Sequence, residues 1–385
     1  MANGSAPRLI IDGAGDRPGD DGPGCSNGFD GSCSGWNSDN NENGGDAVRV
    51  LLVRAESTGG IGVHVDNLTR GLREAGHDVR TLVATGNGAI PAIRHAARQA
   101  DADVVHAHGL RAGAAACLAT RKRTVVTLHN APSNRAGDVL LRLVAHRADV
   151  VLGASHDLVE TAAKNGARHT SFAPIVAPAL PAPTRSASEL KTGLRTELGI
   201  SPDDERSLVL AVGRLAPQKD YDTLLKALII AKDHHGVEHV PPVAIAGEGP
   251  QRSALQAVID AHDLPVTLLG HRSDIADLLR AADVFVMCST WEARPLALQE
   301  ALRAGVRHVV ATDVGGVAEV TADRFPLIAP GDPEALYRAL DEACVLTAPS
   351  GKSSGTLGDD RPDWDALWPG PQDELAAVLA AYSTN

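Results

Sequence analysis

Residues 48–76 read VRVLLVRAESTGGIGVHVDNLTRGLREAG. The stretch opens with the apolar run Val48–Val53, which has the form of a buried strand. A glycine-rich turn, Gly59-Gly60-Ile61-Gly62, follows. Then Val65, Leu68 and Leu72 recur at helical spacing across Val63–Ala75, and Gly76 stops the helix. Strand, tight turn and helix in this order make half of a βαβ unit. The pattern repeats downstream: DVRTLVA, a helix near 89–100, DVVHAH, a helix near 113–119, TVVTLH, a helix around 138–146, DVVLGA and a helix from His156. Strands that alternate with helices form parallel sheets through right-handed crossovers. A second series starts at SLVLAVGRL and continues through helix 220–232, PVAIAG, helix 250–262, PVTLLG, DVFVMCS, helix 296–304, HVVATD and helix 316–321. The expected fold is therefore α/β, with two Rossmann-like doubly wound domains facing across a cleft.

The flanking segments differ in composition. Residues 1–47 are rich in Gly, Asp, Asn and Ser, cannot bury much apolar surface, and read as a disordered acidic tail. Residues 48–175 form the first domain and 191–371 the second. Residues 176–190, which overlap the Pro/Ala/Ser stretch APIVAPALPAPTRSAS (173–188), read as a linker. An Ala/Leu helix at 372–383 ends the chain.

Length agrees with two domains, since 385 residues exceed the usual size of one. The net charge of −12 argues against a general nucleic-acid binder. Within it, residues 48–175 carry a surplus of cations, which suits an anionic acceptor or lipid headgroups. No apolar run reaches membrane-spanning length. The first residues lack the cationic and apolar pattern of a secretory signal. The five cysteines form no CxxC pair, so neither a disulfide scaffold nor a structural zinc site is expected. A cytoplasmic setting follows as the expectation.

Ligands of doubly wound sheets sit at the carboxyl ends of the strands, so residues just after strands are the candidates. Gly59, Gly60 and Gly62 leave backbone N–H groups at a helix start open to an anion. Arg214 and Lys219, in GRLAPQKD after a strand, offer a fork and a point charge to a diphosphate. Glu292 and Glu300, in EARPLALQE, lie in a loop and in the helix it enters, with Pro295 at the helix's first position. Two carboxylates so placed suit the hydroxyls of a sugar and a ribose. His129 ends a strand and faces the cleft, to contact a sugar hydroxyl or neutralise a leaving phosphate. His106 and His108, which end the preceding strand, read as structural. Asp101-Ala-Asp103 lies before a strand, at the wrong end of the sheet for a metal, and reads as a turn. Asp233-His234-His235 reads as a helix end.

Taken together, STGGIGVHVDNLTRGLREAGHDV, VVHAHG, VTLHNAP, LAVGRLAPQKDYDTLLKAL, IAGEGPQRSAL, LLGHRSDIADLLRAADVFV, STWEARPLALQEALRAG and VVATDVGGVAEV resemble, in order and spacing, the family 4 retaining glycosyltransferases of the GT-B fold, bacterial members included. The resemblance runs from Val48 to the C-terminus. It implies that the first domain binds an acceptor and the second a nucleotide-diphosphate sugar, with hexose transfer at retained configuration and without a metal or other cofactor. Arg214 and Lys219 would hold the diphosphate, approached by Gly60 and its neighbours. Glu292 and the backbone amides of Arg294 and Leu296 would meet the sugar. Glu300 would bind the ribose, His129 would sit at the sugar's reactive end, and the base would lie near Gly270, His271 and Arg272. The last helix would cross back onto the first domain. The chain departs from the family's usual Gly-Phe-Pro at Ala293-Arg294-Pro295, which leaves the Arg294 side chain between a phosphate contact and solvent. Uracil, guanine and adenine remain open for the base. A lipid-linked or envelope precursor and a small molecule remain open for the acceptor, as does peripheral contact with the inner membrane face. A non-catalytic nucleotide-sugar-binding relative is the alternative function.

Overall fold

A computed structural model of the chain describes residues 8–10, 47–56, 60–84, 86–132, 134–347 and 362–384. The N-terminal elements are β1 (Arg8–Ile10), β2 (Arg49–Arg54), α1 (Gly60–Glu74), β3 (Asp78–Val83), α2 (Ala89–Gln99), β4 (Val104–His108), α3 (Leu110–Ala119), β5 (Arg123–Leu128), α4 (Arg135–Arg147), β6 (Val150–Gly153), α5 (His156–Lys164) and β7 (Thr170–Phe172). They build a sheet in the order β1-β3-β2-β4-β5-β6-β7. All its neighbours are parallel except β1, which runs antiparallel to β3 at the edge. Arg8–Ile10 thus corrects part of the expected tail, because these residues pair into the sheet. Most of that tail lies outside the described residues.

The second domain comprises α6 (Ala187–Glu197), β8 (Val209–Val212), α7 (Tyr221–His235), β9 (Val243–Ala246), α8 (Arg252–His262), β10 (Val266–Gly270), α9 (Ile275–Ala281), β11 (Val284–Met287), α10 (Leu296–Ala304), β12 (His308–Thr312), α11 (Val317–Thr321), β13 (Leu327–Ile328), α12 (Pro333–Thr347) and α13 (Trp364–Leu367). Its parallel sheet has the order β10-β9-β8-β11-β12-β13. Strand order reverses between β8 and β11 here, and between β2 and β4 in the first sheet. These are the switch points where such sheets bind ligands.

Each sheet has helices on both faces, so its strands are apolar on both sides. In β2, Leu51 and Val53 enter one core with Ile93, Ala116 and Leu141, whereas Val50 and Leu52 enter the other with Val65, Leu72 and Tyr382. That alternation is the period of two of a strand. Full burial of each such side chain stabilises the fold by about 1.5–3 kcal/mol. Tyr382 belongs to α14 (Pro371–Ser383), and Arg123 also donates to Ala381 O, at 2.8 and 3.1 Å. The last helix therefore completes the first domain.

The linker reading needs correction. Ala173, Ile175, Val176 and Ala177 are buried, and α6 already begins at Ala187. Gln299 of α10 donates to Ile175 O at 3.1 Å and accepts from Ala177 N at 3.0 Å. A Pro/Ala composition that looks solvated is here packed against the second domain, because a buried glutamine satisfies its backbone.

Candidate functional site

The loops after β8 and β11 flank the switch point of the second sheet. Their backbones are joined, with Thr290 N donating to Gln218 O at 2.8 Å and Gln218 Nε2 to Trp291 O at 2.7 Å. Lys219 and Glu292 meet there. Lys219 Nζ donates to Glu292 Oε1 at 2.5 Å, and Ser289 Oγ donates to the same oxygen at 2.7 Å. Glu292 is buried and Lys219 half-buried. The Cys288 thiol, pushed up to about 12 by burial, donates to the carbonyls of Lys219 and Asp220 and holds that turn. Arg214 is exposed at the mouth of the same loop.

Glycines make the close approach possible. A Cβ on Gly315 would fall 1.9 Å from Glu292 O, and one on Gly316 would fall 1.9 Å from Ala293 O. Gly316 N donates to Glu292 O at 3.1 Å. The loop that carries Glu292 is therefore seated on a glycine pair. Gly247 acts likewise under the Arg214 loop, where a Cβ would fall 1.9 Å from Gly213 O.

Glu300 is half-buried in the second turn of α10. Burial raises its carboxyl, and Arg303 lowers it in part. Gly270 ends β10 at φ +75° and His271 beyond it is exposed. The Arg272 guanidinium is held by Asp274 at 2.6 Å and by Glu197, which raises its pKa further, so it braces α6.

Arg294 also corrects an expectation. Its side chain is 3% exposed, so it does not point to solvent, and its charged neighbours are Glu319, at 3.9 Å, and Arg303. Nε and Nη2 have no partner, and burial lowers its pKa. Glu319 is shared with His156 of the first domain, accepting from its backbone N at 3.1 Å. Pro295 caps α10, which starts at Leu296, one position later than its proline suggests. Ala293 lies in the first domain's core, and Trp291 and Leu296 pack against it. The Glu292 loop thus touches both domains.

Across from it stand the carboxyl ends of β2, β4 and β5. Gly59 lies outside the described residues. Gly60 and Gly62 lie in the first turn of α1, which begins at Gly60 and not at Val63. A cavity of about 320 Å³ opens here, lined by Ala55, Ile61, His108, Leu110, Asn130 and Leu140 among others. Behind it sits a buried cluster. His129 Nε2 and His108 Nδ1 share a hydrogen bond at 3.1 Å. His106 bonds Tyr382 Oη at 2.8 Å and Thr127 Oγ1 at 2.7 Å. His64 Nδ1 lies 3.2 Å from Glu374 Oε1. Burial pushes His64 down to about 4 and His106 to about 3, and it holds His108 and His129 well below the ordinary histidine range. All four rings are neutral near pH 7. A neutral His129 carries no charge with which to neutralise a phosphate. Ring nitrogens of His64, His108 and His129 lie within 4.8 Å of one another, a donor set a transition-metal ion accepts. His108 Nδ1 and His129 Nε2 bond each other, whereas His64 Nε2, His108 Nε2 and His129 Nδ1 are buried without a partner.

Two rejected signals have simple structural roles. Asp101 and Asp103 both pair with Arg49, and His234 and His235 close α7. Sequence reasoning gave no role to His64, Glu374, Ser289 or the Gly315-Gly316 pair, because they act through partners more than two residues away.

Residues 199–346 match the family Glycosyl transferases group 1, and residues 87–175 match Glycosyl transferase 4-like domain. A teichuronic acid biosynthesis glycosyltransferase of Bacillus subtilis, TuaC, assigned that activity putatively, is 31% identical over 249 residues. That alignment covers 62% of this chain and 60% of TuaC. Among solved structures, Anabaena HepE in complex with UDP and glucose superposes at a TM-score of 0.65 and 18% identity, covering 87% of this chain and all of HepE. Sucrose-phosphate synthase from Thermosynechococcus elongatus superposes at 0.66 and 18% identity, covering 86% and 98%. The architecture is the GT-B fold. The group 1 match lies in the second domain and the 4-like match in the first.

Proposed function

We propose that the protein transfers a hexose from a nucleotide-diphosphate sugar to an acceptor hydroxyl, with retention and without a metal. The observation that carries this reading is the Lys219–Glu292 pair at the switch point of the second sheet. Breaking the bond from sugar C1 to phosphate leaves positive charge on the sugar and negative charge on the diphosphate. Lys219 and Arg214 are fixed cations for the leaving group, and preorganised charge of this kind is a large catalytic term. Glu292 accepts from sugar hydroxyls, Glu300 from the ribose, and neutral His129 meets a hydroxyl near C1. Acceptor attack on the same face, with its proton passing to the departing phosphate, gives retention. HepE, solved with UDP and glucose, supports a donor of this class.

The cavity beside His108 is the acceptor site in this reading. Its apolar lining and the name of TuaC favour an envelope precursor. On α4, next to the cavity, Val139 is 65% exposed between exposed Arg135 and Arg142, a surface suited to peripheral contact with an anionic membrane. Among the described residues no helix is long and apolar enough to cross a membrane. We assign the reaction to the cytoplasm on the strength of the cysteine usage.

The test is release of nucleoside diphosphate from a panel of UDP-, GDP- and ADP-sugars. Wild type releases it from one class, and Lys219→Ala lowers the rate by about 10²–10³. A folded wild type that binds a nucleotide sugar and never turns it over would instead be the non-catalytic relative.

A further inference from the structure

The first domain has a second recess, at the opposite end of its sheet from the cleft. The last turns of α2, α3 and α4 meet there with the turn into β5. The recess encloses about 660 Å³ and is lined by Arg94, Arg98, Arg121, Lys122 and Arg147, with no carboxylate among its lining residues. All five cations are exposed. It stands at the amino end of β5, whereas His129 follows the carboxyl end, so a strand length of about 20 Å separates it from the cleft.

Helix ends account for part of this charge. Arg94 donates to Ala119 O at 3.0 Å and Leu118 O at 3.4 Å. Arg98 and Arg147 occupy the last turns of α2 and α4, where the dipole favours a cation. Lys122 lies 3.7 Å from Asp101, which Arg49 also holds. Three helix ends offset about 1.5 charges, at roughly half a charge each. Asp149 lies close enough to act on Cys117 in the wall, and even with it and Asp101 counted in full a surplus of about 1.5 positive charges faces one concavity. The Cys117 thiol in its wall is pushed up to about 11 and adds no negative charge.

We propose that this recess is a binding site for a small molecule carrying at least two phosphate groups. Arginine forks match phosphate oxygens in pairs. The volume falls in the range of small-ligand pockets. A flat bilayer would reach only the rim, so the concave shape favours a compact ligand. The inference does not depend on the proposed transfer reaction, because no residue of the cleft takes part.

Calorimetric titration with tripolyphosphate tests it. The cleft cations would also take this anion, so the protein used is the Arg214→Ala/Lys219→Ala variant. One binding event per chain is expected, weakened about tenfold or more when Arg98→Ser and Arg121→Ser are added. Arg70→Ser with Arg135→Ser, on other surfaces, leaves it unchanged. If the cleft variant does not fold, wild type shows two events, of which Arg98→Ser/Arg121→Ser removes one. Absence of the event, or equal weakening by both pairs, overturns the proposal. Sedimentation with phosphatidylglycerol vesicles, lost on Arg98→Ser/Arg121→Ser while tripolyphosphate does not bind, would assign the recess to a membrane surface and overturn it as well.

Discussion

Glu374 is buried in the first turn of α14, against His64 and the backbone of Val176. Burial raises its carboxyl from 4.5 to about 8. The folded state therefore binds a proton that the unfolded chain releases above pH 4.5. Stability from this group is fully present below pH 4.5 and declines as pH rises, levelling off above about 8. At about 1.4 kcal/mol per unit, the loss is on the order of 3 kcal/mol at pH 7 and about 4–5 above pH 8. Glu374→Gln keeps the shape and cannot ionise, so it removes the loss. Thermal unfolding of both proteins from pH 5 to 8.5 reads the difference. Each kcal/mol moves the midpoint of a domain of 150–250 residues by about 2–4 °C. The variant should gain over wild type with rising pH, and the gap should shrink below about 1 kcal/mol at pH 5. A flat difference would refute the reasoning. So would a gap that turns in favour of wild type at high pH, which would mean that Glu374 is ionised in the fold and paired with a charged His64.

Other outcomes follow from close packing and charge. Gly316→Ala places a Cβ 1.9 Å from Ala293 O and 3.2 Å from Ser155 Cβ, so the Glu292 loop must shift. Stability should fall by about 1–3 kcal/mol, and kcat should fall more than nucleotide affinity, as read by steady-state kinetics and nucleotide titration. Arg294→Met replaces a buried cation whose Nε and Nη2 lack partners. Because such replacements are often neutral or stabilising by about 1–4 kcal/mol, the melting temperature should hold or rise. A fall of several degrees would show that the Glu319 pair is worth more than its 3.9 Å separation suggests.

The two sheets were legible because both periodicities are strong. Val50–Val53 could only be a buried strand, and Val65, Leu68 and Leu72 could only face one core. Lys219 and Glu292 were legible as residues after strands, but their ion pair was not, since 73 residues separate them. Burial deceived the reading at two places. Arg294 looked like a surface or phosphate arginine and is buried beside Glu319. The 173–177 segment looked like a solvated linker and is buried. The neutral state of the histidines was equally hidden, because it arises from their mutual enclosure with α14, whose docking site periodicity alone does not specify.

Nucleotide binding at the second switch point is the central claim, and thermal shifts with UDP, GDP and ADP test it most directly, on wild type and Glu300→Ala. At 100 times its dissociation constant, a nucleotide stabilises the fold by about 2.7 kcal/mol. The account predicts a shift with one nucleotide, lost or sharply reduced in Glu300→Ala. No shift with any of the three, or one that Glu300→Ala leaves intact, would contradict it.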